Sequence, residues 1–96
     1  MLKRNFLQLP LEDACIHEGE GLCKHATVFE GSEFATNVRF LNYTVVPVGG
    51  SFGVHTHGAD NELYIVLEGK GIYEENGEKV AVCTGDIMVN APFASH

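Results

Sequence analysis

Apolar residues fall in short runs, and glycine or a turn pair closes each run. Residues 38–47 predict a long strand, Val38-Arg39-Phe40-Leu41-Asn42-Tyr43-Thr44-Val45-Val46, rich in β-branched and aromatic types and stopped by Pro47 and Gly49-Gly50. A strand is also expected near Lys24–Glu30, between Gly21 and Gly31. Glu62–Glu68 reads as a strand ended by Gly69. Gly71–Glu75 and Glu78–Cys83 flank Asn76-Gly77, a pair suited to a type I′ hairpin turn, which needs positive φ at both central residues. Gly85-Asp86 predicts another turn and Ile87–Asn90 a last short strand. Residues 1–14 suggest a short helical turn or an irregular arm. No pattern supports a helix longer than two turns, so the chain is expected to be all-β, a sandwich or a barrel with little or no helix.

In Glu62–Glu68, alternation puts Glu62, Tyr64 and Val66 on one side and Leu63, Ile65 and Leu67 on the other. Both sides carry apolar residues, and a strand apolar on both sides must be covered on both. The N-terminal arm or a second subunit would supply the cover, and a homodimer is the expectation. A chain of 96 residues suffices for one domain with a thin core, which a metal ion or a partner would help stabilise.

The net charge of −7 argues against nucleic acid and against anionic membrane surfaces as partners. No run approaches the length of apolar sequence that a membrane span needs. Three cysteines, Cys15, Cys23 and Cys83, leave at least one unpaired. With no signal-peptide pattern at the N-terminus, they suggest a soluble protein of the reducing cytoplasm.

The chemistry centres on His55-Thr56-His57 and Glu62. On an extended segment residues i and i+2 share a face, so both imidazoles can reach one ion. Glu62, after a four-residue loop, can fold back to add a carboxylate oxygen. By itself a His-x-His pair is more often solvated surface than a ligand pair. The flanking glycines change that balance.

The stretch from Gly49 through His55, His57 and Glu62 to Gly69 resembles the first cupin motif, every fixed position being filled at an allowed spacing. A second motif is weaker. Gly85 and His96 have the right separation, but Ala91 stands where proline is expected and Phe93 where glycine is expected. The resemblance covers roughly residues 38–96. It implies a double-stranded β-helix, or jelly-roll barrel, with residues 38–96 as its core and residues 1–37 as an N-terminal arm and first strands. It implies metal ligation by His55, His57, Glu62 and His96. It also implies about two more strands after His96, so a C-terminal truncation is expected. Three imidazoles and one carboxylate suit Fe, Mn, Ni, Co or Zn as a divalent ion, without choosing among them. They would fill four of six positions and leave two open for a small-molecule ligand.

Two functions follow from the resemblance. One is a metal-dependent enzyme acting on a small oxygenated metabolite, of dioxygenase, isomerase or decarboxylase type, with Tyr64 and His25 as titratable candidates for proton transfer. The other is a non-catalytic module that binds or senses a small molecule or metal. Cys15-x-His17 and Cys23-x-His25 hint at a second metal site, but a separation of eight between the pairs is unlike structural zinc. Strand cysteines with incidental histidines are the plainer reading. Tyr43, Tyr64, Tyr73, Phe40, Met88 and Phe93 are candidates to line a pocket, and Asn90, in an otherwise apolar strand, needs a polar partner.

Overall fold

The computed structural model describes residues 1–96 and divides into two compact units, Met1–Gly53 and Val54–His96. In the first, three antiparallel strands pair in chain order: β1 (Glu12–Ala14), β2 (Cys23–Glu30) and β3 (Phe40–Val45). The β2–β3 register shifts between Thr27 and Phe29. The extra residue, Val28, is buried there, as is Cys23. The expected strand over 38–47 is shorter than its apolar run. The ladder ends at Glu30↔Phe40 because the chain leaves β2 in a 3-10 turn, Gly31–Glu33, and Val38 and Arg39 have no strand opposite them.

The N-terminal residues form a single 3-10 turn, Phe6–Gln8, whose Leu7 amide donates to the Asn5 side chain. Arg4 ties this arm down. Its guanidinium donates to the Val28 carbonyl at 3.2 Å, pairs with Glu33 at 2.5 Å and lies 4.8 Å from the centre of the Phe29 ring. Two glycines are required by close approach. A Cβ on Gly53 would stand 1.7 Å from the His17 carbonyl oxygen, and one on Gly19 would stand 2.1 Å from that of Ser51. No side chain fits either place.

In the second unit β4 (Glu62–Ile65) pairs antiparallel with β7 (Ile87–Asn90), and β5 (Lys70–Glu75) with β6 (Glu78–Cys83). The β5–β6 hairpin turns as the sequence predicts, with Asn76 at φ 49° and Gly77 at φ 83°. β4 is shorter than its apolar run. After Ile65 the chain pairs with the Gly85-Asp86 turn instead, Val66 donating to the Asp86 carbonyl and Gly85 to that of Val66.

The β4–β7 register sorts the side chains. Glu62 faces Asn90 and Tyr64 faces Met88, while Leu63 faces Val89 and Ile65 faces Ile87. Directly opposed residues share a face. One face therefore carries Glu62, Asn90, Tyr64 and Met88, and the other is wholly apolar. The apolar face, with Leu67, stays exposed in the single chain. No helix is long and apolar enough to cross a membrane.

Candidate metal centre

Three imidazoles are set by one stretch of backbone pairing. His55 and His96 exchange both amide-to-carbonyl hydrogen bonds, at 2.9 and 3.0 Å. Thr56 bridges to Ser95, and the His57 amide donates to the Ala94 carbonyl at 3.2 Å. In an antiparallel ladder this puts His55, His57 and His96 on one face and Thr56 and Ser95 on the other. The ring centres form a near-equilateral triangle, with sides of 4.9, 4.3 and 4.8 Å. Glu62 enters from the first residue of β4.

The four ligand atoms lie within 4.8 Å of one another. His55 Nε2 and His57 Nε2 are 3.1 Å apart. Glu62 Oε2 is 2.6 Å from His57 Nε2 and 3.7 Å from His96 Nε2. Two atoms each about 2.1 Å from a common ion, at right angles across it, would be about 3 Å apart. The spacing and the nitrogen–oxygen donor set both fit a transition metal ion. No other group of three or more histidine, cysteine, aspartate or glutamate side chains comes this close together, the Cys15-His17-Cys23-His25 set included. Within the first unit Cys23 is buried, and burial, followed by the neighbouring Cys15, raises its thiol pKa. His25 Nδ1 lies 2.8 Å from the Thr44 hydroxyl.

Around the cluster the structure adds partners that sequence reasoning did not supply. Asp60 Oδ1 lies 3.6 Å from His57 Nδ1, on the ring edge away from Glu62. The signal for it was an acid three residues after His57. Tyr73 Oη lies 3.5 Å from His96 Nδ1 and donates to Asn90 Oδ1 at 3.4 Å. The rings of Tyr64 and Tyr73 both stand against His96, with centres 5.4 and 5.9 Å away. Burial, followed by a hydrogen bond to the Glu62 carboxylate, pushes the Tyr64 hydroxyl far above the ordinary phenol range. Burial raises Tyr73 as well. Both phenols are therefore neutral hydrogen-bonding groups near pH 7, and neither is a base there.

The other pocket candidates part company. Tyr43 packs against Phe6 within the first unit, the rings tilted with 4.7 Å between centres, and Phe40 and Phe93 are exposed. Phe93, where the second motif expects glycine, sits at φ 61°. This left-handed conformation favours glycine, and it explains the expectation at that position. Phe93 is held by its amide, which donates to the Gly58 carbonyl at 2.8 Å. Two clefts, of about 260 and 300 Å³, are lined by residues of the first unit and by none of the cluster.

The chain belongs to the cupin domain family, whose family model matches residues 42–96, more than half its length. Its fold is accordingly the all-β jelly roll of that family. The chain is 28% identical over 78 residues to an oxalate-binding protein of Thermotoga maritima, a match covering 81% of this chain and 64% of that protein. It is 31% identical over 72 residues to an uncharacterized protein of Methanocaldococcus jannaschii, covering 75% of this chain and 54% of the other. It thus spans less than two-thirds of the length of either relative. A crystal structure from Thermotoga maritima, described as a predicted oxalate decarboxylase, aligns with a TM-score of 0.91 at 24% identity. That alignment covers 99% of this chain and 84% of the other, and it shows the fold.

Proposed function

We propose that His55, His57, Glu62 and His96 hold one divalent transition metal ion, and that the ion binds a small carboxylate of the oxalate class. The observation that carries this reading is the triangle of imidazoles closed by Glu62, with four donor atoms within 4.8 Å. Four protein ligands leave two positions of an octahedral ion for a chelating acid. The oxalate-binding relative supports the ligand class. Binding is the simpler reading, because the two phenols beside the cluster, Tyr64 and Tyr73, are neutral near pH 7 and neither is a base there. A second reading, metal-assisted turnover of the bound acid, is favoured by the Tyr64–Glu62 hydrogen bond, which brings a proton donor to the ligand set.

Elemental analysis tests the ligand set. Wild type is expected to carry about one ion per chain, and His55→Ala and Glu62→Ala much less; equal metal in all three ends the assignment. Oxalate titration of the metal-loaded protein by calorimetry tests the ligand. Carbon-13-labelled oxalate, followed by NMR for release of formate or carbon dioxide, separates binding from turnover.

The protein is further proposed to act as a homodimer in the cytoplasm. The uncovered apolar face of β4 and β7 is the surface for a second copy, and the three cysteines suit a reducing compartment.

A further inference from the structure

Asn90 is the only fully buried polar residue, at 0% exposure, and its position is determined from several sides. Its carbonyl oxygen accepts from the Asn61 side chain at 3.3 Å. Its neighbour's amide, that of Ala91, donates to Glu75. Its side-chain oxygen accepts from Tyr73 Oη, which also lies 3.5 Å from His96 Nδ1. The β4–β7 register sets it directly opposite Glu62, on the same face. One end of the amide is thus one hydroxyl away from His96, and its strand position is opposite another cluster residue. The other end, Nδ2, is buried and has no hydrogen-bond partner. Buried amide donors are nearly always paired, so an unpaired one in a fixed pose beside a cluster of ligand-type side chains calls for an acceptor from outside the chain.

The rest of the face supplies no other such donor. Tyr64 is bonded to Glu62, and Tyr73 to Asn90. The two lysines of this unit, Lys70 and Lys79, lie in the β5–β6 hairpin and are exposed. An acid chelating a metal through two oxygens still presents oxygen lone pairs, and these need a donor.

We infer that Asn90 Nδ2 is the ligand-recognition donor of this site: it hydrogen-bonds an oxygen of the metal-bound carboxylate, with Tyr73 keeping the amide turned so that Nδ2 is free to do so. This rests on the metal and carboxylate reading above. It selects for ligands carrying an acceptor oxygen beyond those bound to the ion. It also replaces the cationic side chain usually used to hold an acid with a neutral amide.

The test uses the whole chain loaded with Mn(II), wild type beside Asn90→Leu, a replacement of similar volume without the donor. Metal content is measured first, then oxalate affinity by calorimetry. The expected result is equal metal and an oxalate affinity lower by about tenfold or more in Asn90→Leu. An affinity within twofold of wild type at equal metal overturns the inference. A wild type that takes up no metal, or takes it up and binds no oxalate, sinks the underlying reading instead, and the wild-type measurements tell the two failures apart. A second measurement needs no variant. In Zn(II)-loaded, ¹⁵N-labelled wild type, the Asn90 side-chain amide resonances are expected to move on adding oxalate; resonances that stay put while oxalate binds overturn the inference.

Discussion

Replacing Leu63 with lysine should dissociate the proposed homodimer without touching the proposed metal site. Leu63 is 59% exposed in the single chain and sits with Ile65, Leu67, Ile87 and Val89 on the face of β4 and β7 turned away from Glu62. Together these side chains leave roughly 500 Å² of apolar surface open, against the ~800 Å² per partner of an ordinary stable interface. Leu63 alone contributes roughly 100 Å², or about 2.5 kcal/mol at 25 cal/mol per Å². A two-fold interface uses each residue twice, so the loss per dimer is about 5 kcal/mol, weakening association by some three orders of magnitude or more. Sedimentation velocity at about 10 µM is the assay, a concentration that separates a dissociation constant of about 1 µM from one about a thousandfold weaker. Wild type is expected as a dimer and Leu63→Lys as a monomer with the same metal content. A monomeric wild type, or a Leu63→Lys protein that still sediments as a dimer, refutes the assignment of this face.

Three further outcomes are expected. Chelating the metal should lower the melting temperature, by about 10–20 °C if the ion was present at a hundredfold over its dissociation constant, and restoring the ion should reverse it; scanning calorimetry with and without EDTA checks this. Tyr64 ionises near 10.0 when unfolded and far above that when folded, so its contribution is intact below pH 10 and is lost as pH rises beyond it. Circular dichroism melts should show stability falling above pH 10 in wild type and falling less steeply in Tyr64→Phe. Asn76 grips the segment that ends in His96, its amide donating to the Ser95 carbonyl at 2.8 Å and its side-chain oxygen accepting from the Ser95 amide at 2.9 Å. Asn76→Gly keeps a turn-competent residue but removes the second bond. It should weaken Mn(II) binding by about three- to tenfold in a competition titration.

What could be read from the sequence was what local chemistry decides. The Asn76-Gly77 turn, the Ile87–Asn90 strand and the Glu62, Tyr64 alternation depend on φ preference and on period-two patterning, and all appear in the structure. His55, His57 and Glu62 converge as their spacing predicts, and His96 joins them as the cupin resemblance implies. Strand ends were read less well. Apolar residues continue past Val45 and Ile65, but a strand stops where its partner turns away, and the partner lies far off in sequence. The Tyr73 contacts and the Asn76 grip were out of reach for the same reason, because each joins residues whose proximity is fixed by the fold. Phe93 departs from the motif, and its left-handed backbone shows what the expected glycine is for.

The reciprocal amide bonds between His55 and His96 also bear on the order of assembly. These residues lie at the second position and the last of the second unit, so their pairing closes its longest loop and carries the largest entropic cost within it. Contacts of that separation form late in folding. A slip of one residue there would present the Ser95 hydroxyl in place of the third imidazole. An ion would therefore meet its complete set of donors only after the chain has reached its correct register, and its uptake rate would serve as a clock for the final step of folding.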